Sequence, residues 1–524
     1  MKLYVVLVVL LIAGKFGGDL SPHQSTPDDI TPTSVPEPLL TPFTAGVSAT
    51  AIKGMPSRAQ TPTSSTALAW SSPTPYPVPS INLANYFPPP EVGPTLTITA
   101  GGIRDEQSTR PRMAAPGNSA GARSRALSES QNTNDLSPLI KAASEELDAR
   151  GGGAIRIAIS GNVGRQPLIK HHIIFDHVEI QCTEHDLNGC MIINDGVLVE
   201  GLASTVHQSK YSEPGCGSRC PAAIIFHSYA DYRSKAHEGT AHRIAIQGFV
   251  FEGRGQRVSD GGVRATVTIS NCEHCAIQNN EYRYVSSLGN QVGGSVLAGN
   301  FARYVLLRNN HFIGSAAAGE AVVNAEDVII IGDSNEKPGR QGFSGGVSLV
   351  DVEPNTETDH AARIQMFNLR CDYTWSELPA AGNCINVQNP YHSSQVRDNL
   401  VGNVWVNGGS PLDNAAPHPL SNGLLVSYPF NLRVFNLFVL RAAQSCVLID
   451  GGGFGSLFQD IVCNSSGGGG NFSVQLIRVT GATFRRMLLF DEPGTTQSTD
   501  PRVQQCIGSS NFESNVRVVT ERCP

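Results

Sequence analysis

Through the second half of the chain, short apolar stretches alternate with breaks of Gly, Pro or Asn. Three segments show the pattern most clearly: Asn422 to Leu440, Ser445 to Cys463 and Ser473 to Leu489. Each has an apolar strand, a break, an aromatic residue and a second apolar strand, with Phe435, Phe458 and Phe484 at equivalent places. A unit of about 22–30 residues cannot bury its own apolar face, so successive units are expected to stack into one shared core.

Upstream, alternating or continuous apolar runs begin at His242, Thr266, Ser295, Glu320 and Gly346, and each reads as a strand. Asn271 and Asn300 close comparable strands 29 residues apart, and the pairs Asn279–Asn280 and Asn309–Asn310 recur 30 apart. Each pair is followed, two positions on, by an aromatic residue, Tyr282 or Phe312. Asparagine tolerates left-handed backbone and can bond to its copy in the next coil. These residues, and His311 beside them, therefore read as structural. One segment has helical periodicity: Leu139, Ile140, Ala143 and Leu147 share a face, Ser137 and Pro138 suit an N-cap and first turn, and Gly151 to Gly153 suit a stop. Such a helix makes a natural lid for the apolar end of a stack.

The first residues change the picture. Leu3 to Ala13 is an apolar run after one lysine, the length of a secretory signal and short for a membrane span. Cleavage near Gly14 to Asp19 is expected, with an uncleaved anchor as the alternative. From about Leu20 to Ser130 the chain is rich in Pro, Ser, Thr and Ala. That composition predicts a flexible stalk, with short order near Leu96 to Ala100. The expected organisation is a signal over 1–18, a disordered linker over 19–130 and one folded domain over 131–524. Twelve cysteines suit an exported protein. They fall into neighbours: Cys182 with Cys190, Cys216 with Cys220, Cys272 with Cys275, Cys371 with Cys384, Cys446 with Cys463, and Cys506 with Cys523. A zinc site of Cys216, Cys220, Cys272 and Cys275 is the rival reading of four of them. Two N-x-S sequons, Asn464 and Asn471, are expected to mark surface loops.

A capping helix ending in three glycines, an alternating strand, and irregular coils with V-x-I and NN-x-aromatic patterns together resemble the pectate-lyase-like superfamily. The resemblance runs from about Asn134 to the end of the chain. It implies an all-β fold, a right-handed single-stranded parallel β-helix. Members of that group are mostly polysaccharide lyases, hydrolases and epimerases, with tailspikes and adhesins beside them. The W-x-D-H signature of pectate lyases and the D-D, G-H-G and R-I-K motifs of pectin hydrolases are absent from the β-helix region.

The strongest polar cluster on a strand is Asp351 and Glu353, alternating with Val350 and Val352. Side chains two apart share a face, with Cα atoms about 6.6–7 Å apart. The face one coil earlier offers Asn324 or Glu320, and one coil later Asn386 and Gln388. Three functional readings follow: a hydrolase acid/base pair, a Ca²⁺ site of Asp351, Glu353 and Asn324 serving a lyase, or simple binding of sugar hydroxyls. The calcium arrangement is similar to that of one alginate and chondroitin lyase family. A solvated face with ladder asparagines is the reading without function. No lysine follows Lys337, so a lyase base would come from His360, Arg363, Tyr391 or His392. The loops around Lys337 and Arg340 and over 204–222 are where groove walls are expected. Net charge is -7, and no nucleic-acid-binding signature occurs. The expected protein is a secreted or cell-surface monomer whose partner is a polysaccharide, as substrate or as ligand; a display or adhesin role is the alternative.

Overall fold

In a computed structural model the described residues are 74–106, 123, 126–130, 134–164, 166–183, 190–207, 225–228, 241–253, 266–283, 294–314, 318–336, 348–354, 356–372, 382–392, 394–408, 422–442, 444–464, 472–490, 500–505, 510–512 and 518–519. They form a right-handed parallel β-helix. Among them every strand pairing is parallel except the opening hairpin of Thr95–Thr99 with Gly102–Asp105. Strand Thr95–Thr99 then pairs in parallel with Ala154–Ile157, which starts the coils.

The helix α1, Ser137–Arg150, covers this first end. It buries Leu139, Ile140, Ala143 and Leu147, and Gly151 stops it at φ 84° with Gly152 N–H bonded to Leu147 O at 3.0 Å. The start differs from expectation in one detail. Ser137 is already helical, and its N–H is taken by the Asp135 carboxylate at 2.9 Å.

Parallel stacking turns the sequence repeat into columns. Val267, Glu320, Val350, Ile385, Leu424, Val447, Val474 and Val503 lie in register on the inward side of one sheet. The column beside it, on the opposite face, includes Thr268, Ala321, Asp351, Asn386, Leu425, Leu448, Gln475 and Gln504. Aromatic rings stack along the interior: Phe251, Tyr282 and Phe312 at 4.9 and 4.8 Å, and Phe458, Phe484 and Phe512 at 4.9 and 5.1 Å. The aromatic register differs from expectation at one unit. Val434, not Phe435, pairs with Phe458. A shift of one residue reverses the face, so Phe435 points away from this stack.

The recurring asparagines build ladders at one turn. Asn279, Asn309, Asn368, Asn403 and Asn436 are all left-handed, with φ between 51° and 55°, and Gly332 takes the same place at 75°. Amides link coil to coil, Asn309 to Asn279 at 3.2 Å, Asn403 to Asn368 at 3.1 Å and Asn436 to Asn403 at 3.0 Å. The following residues form an inner ladder, in which Asn280 Oδ1 accepts from Phe249 N–H and Asn310 Oδ1 from Asn280 N–H.

Residues 74–94, expected within the linker, instead lie along the outside of the coils. Tyr76 stacks on Phe435 at 4.3 Å, and its backbone N–H and C=O are both paired with Asn403. Asn436 Nδ2 donates to Thr74 O at 2.9 Å. Further along, Tyr86 joins Ala245, Ala276 and Leu306 in a small apolar cluster, and Glu91 reaches His171 and the His172 N–H. The strap binds because the ladder amides satisfy its backbone, which a Pro-rich segment cannot do for itself. The Pro/Ser/Thr composition therefore misleads over 74–94, whereas the short order expected near Leu96 to Ala100 is the strand Thr95–Thr99; residues 1–73 lie outside the described ones.

Four of the expected cysteine pairs are disulfides: Cys182–Cys190, Cys272–Cys275, Cys371–Cys384 and Cys446–Cys463. Cys272 and Cys275 are thus bonded to each other and leave no thiolates for zinc. The other two pairs lie outside the described residues. Asn464, expected in a surface loop, ends strand Leu457–Asn464 and is buried; Asn471 lies outside. No helix of the described residues is long and apolar enough to cross a membrane.

Candidate functional site

Strand Val350–Val352 sends both valines into the core and turns Asp351 to the opposite face. Hydrogen bonding carries the ladder one residue further, with Glu353 N–H donating to Val322 O at 3.2 Å and Gln388 N–H to Val352 O at 2.8 Å. Asp351 therefore lies between Ala321 and Asn386 of the adjacent coils, and Glu353 between Val323 and Gln388. The two carboxyls share a face, with Ala321 and Val323 forming an apolar floor on one side and two amides flanking them on the other.

That setting governs their protonation. Burial pushes the Asp351 carboxyl up to about 6, and the Asn386 and Gln388 amides hold it from going higher. Its Oδ1 is buried without a hydrogen-bond partner. Burial pushes Glu353 up to about 8, and the charge of Asp351 beside it adds to the effect. Near neutral pH the pair therefore holds a proton that two free carboxyls would have released, the larger rise falling on Glu353. A desolvated pair with separated proton affinities is the arrangement that acid/base chemistry needs.

The next coils bring aromatic side chains to the same corner. Tyr391 is 40% exposed, and its phenol is pushed up by partial burial and by Glu353. His392 stacks on Tyr428, and Arg478, paired with Asp450, lies 5.9 Å over the Tyr428 ring. Tyr428 was not foreseen, and nothing in its sequence context separates it from a core residue. Its left-handed backbone, φ 45°, turns it outward.

The remaining expected site residues gather one corner away. Asn324 is 6% exposed, left-handed at φ 50°, and its Oδ1 accepts from His360 N–H at 3.1 Å. Its oxygen therefore serves the turn. His360 Nδ1 lies 2.9 Å from Glu326 Oε1, and Arg363 clamps Asp327 at 2.7 and 2.8 Å and Glu326 at 2.9 Å. These contacts hold Glu326 below the usual carboxylate range once its own burial is overcome. The structure thus joins His360 and Arg363 to each other through Glu326. Asp351 and Glu353 offer a metal two carboxylates, whereas the third oxygen, from Asn324, is already spent on the backbone. Among the described residues no group of three or more His, Cys, Asp or Glu side chains is placed to hold a metal ion. His311 bonds Ser334 at 2.7 Å, a turn contact as expected. Glu320, expected on the outward face, is instead in the inward column and fully buried.

No family model matches this chain, and no curated protein matches its sequence. Among solved structures it is similar to a mannuronan C-5 epimerase module of Azotobacter vinelandii, at 11% identity and a TM-score of 0.36, over 74% of this chain and 96% of that one. It is similar to a surface adhesin of Streptococcus pneumoniae at 10% identity and a TM-score of 0.37, over 72% and 89%. A tailspike of E. coli bacteriophage HK620 matches at 14% identity and a TM-score of 0.37, over 72% and 63%.

Proposed function

We propose that this β-helix is an exported glycoside hydrolase that cleaves an extracellular or cell-wall polysaccharide at the face carrying Asp351 and Glu353. The observation that supports it is the split pair: one carboxyl raised to about 8 and its neighbour to about 6 on one desolvated face. Glu353, protonated, gives its proton to the leaving glycosidic oxygen. Asp351, ionised, takes a proton from the attacking water. An inverting hydrolase needs room for a water between its two carboxyls. Tyr391 offers an exposed ring to a sugar beside the acid. The disulfides favour a compartment outside the cytosol, which accords with a signal over 1–18 and a polysaccharide as the partner.

The test is purified protein on a panel of neutral and uronate-containing glycans. New reducing ends without ultraviolet-absorbing products are expected, with Glu353→Gln and Asp351→Asn each lowering kcat by about 10²–10⁴-fold. Unsaturated products, or turnover that needs added Ca²⁺, would move the site to lyase chemistry. Glycan binding without turnover, unchanged in both variants, would leave a binding protein whose site is elsewhere.

A further inference from the structure

The turn that leaves the site strand carries exposed aromatic side chains on several coils. Two coils before Asp351, Gly299 pairs with Val323 and Ala302 with Ala325, so an extra residue stands opposite Asn324. Phe301 occupies this bulge, left-handed at φ 69° and 45% exposed. Bulges re-aim side chains, and a left-handed backbone is unfavourable for so bulky a residue. One coil after Asp351, Tyr391 lies in the same turn, where the charges of Glu353, Asp359 and Glu357 reach its phenol. Phe430 follows on the next coil, and Phe454, 56% exposed, on the one beyond, with the two rings stacked at 6.3 Å.

Five successive strand pairings separate Phe301 from Phe454. At about 4.8 Å per coil, the row is roughly 24 Å long, and the acid pair lies within it. Aromatic faces offer flat apolar surface on which the C–H faces of sugar rings lie, while a few polar groups fix orientation. A pyranose adds about as much length to an extended glycan as one coil adds to the solenoid.

Charge narrows the ligand. Asp351, Glu353, Glu357 and Asp359 put carboxyls at the middle of the row. The cations near it are held by carboxylates of their own: Arg363 by Asp327 and Glu326, Arg397 by Asp398, and Arg478 by Asp450. A uronate or sulfated chain would meet like charge there. We propose that this turn is an aromatic track for an extended glycan without acidic groups, laid parallel to the solenoid axis across the acid pair. It rests on the reading of Asp351 and Glu353 as the hydrolytic pair and deepens it. A chain held on both sides of the pair is cut at an internal glycosidic bond, with water giving hydroxyl to the anomeric carbon and the acid giving the proton to the leaving oxygen.

Binding is measured by isothermal titration on the full chain carrying Glu353→Gln, which should not consume the ligand. The probes are cellohexaose, laminarihexaose, a chitosan hexamer and hexagalacturonate, each with its trimer. A non-acidic hexamer should bind more tightly than its trimer, and hexagalacturonate should not bind. Adding Phe301→Ala or Phe454→Ala should weaken the hexamer about 3–10-fold at an unchanged urea midpoint, because both rings are exposed. Tyr304→Ala, 43% exposed on the next turn of the coil, should bind like its parent. With the wild type, the viscosity of the matching polymer should fall ahead of reducing-end release. Affinity indifferent to both phenylalanines, a trimer bound as tightly as the hexamer, no binding of any non-acidic hexamer, or preference for hexagalacturonate would each overturn the track. The two readings fail separately. If Asp351→Asn and Glu353→Gln turn over glycan like the wild type while the phenylalanine variants lose affinity, the acid assignment falls and the track stands as a binding site.

Discussion

Replacing Glu353 by Gln tests the electrostatics of the outward pair without reference to any substrate. The carboxyl is raised from 4.5 to about 8, so the folded state holds a proton that the unfolded chain releases. Folded-state proton uptake stabilises the wild type fully below the unfolded value and is lost as pH climbs through the folded one. At about 1.4 kcal/mol per unit, a shift of about 3.5 units sets a ceiling of roughly 5 kcal/mol. Partial exposure of Glu353 and sharing of the effect with Asp351 reduce this to about 2–3 kcal/mol. Gln has nearly the same shape and never ionises. At pH 5 the two proteins should be about equally stable; at pH 9 the variant should be more stable by that amount. Urea unfolding at pH 5, 7 and 9 measures the difference directly. A gap that does not widen with pH would show that Glu353 ionises freely, and the assignment of Glu353 as the acid would fall with it.

Two further outcomes follow from packing. Tyr76→Ala removes a ring stacked at 4.3 Å on Phe435 and should cost about 2–3 kcal/mol; hydrogen exchange should rise in 74–94 before the coils open, and uniform exchange throughout would refute a separable strap. Phe484→Ala opens the stack between Phe458 and Phe512 and should cost about 3–5 kcal/mol, read as a lower urea midpoint; a loss under about 1 kcal/mol would mean the ring is not a core member.

The parallel stack was legible because its physics is periodic. Valines at Val350 and Val352, asparagines at Asn279 and Asn309, and Gly151 after a helix each answer a local demand that recurs. What failed was parity and long-range docking. Phe435 sits one residue from its expected column, and Glu320 sits on the inward side of its strand. In both cases the sequence pattern allows either face, and only the neighbouring coil decides. The strap was hidden for a different reason. Its partners, Asn403 and Asn436, are more than 300 residues away, and composition carries no trace of them. At the outward pair, Asp351, Asn386 and Gln388 were readable from spacing, whereas the low dielectric that shifts the acids arises from the floor of Ala321 and Val323.

The strap also orders events in time. Thr74 is among the first parts of the folded unit to be synthesised, yet its partner Asn436 lies 362 residues later. Coils can form behind one another as the chain emerges, each templated by its predecessor. The strap must wait, exposed, until the coil of Asn436 exists, and then close over turns made long before. Its docking reports that the stack has grown past that coil. A truncated chain ending short of it would carry the same strap with no place to fasten its leading end, which marks it for proteolysis.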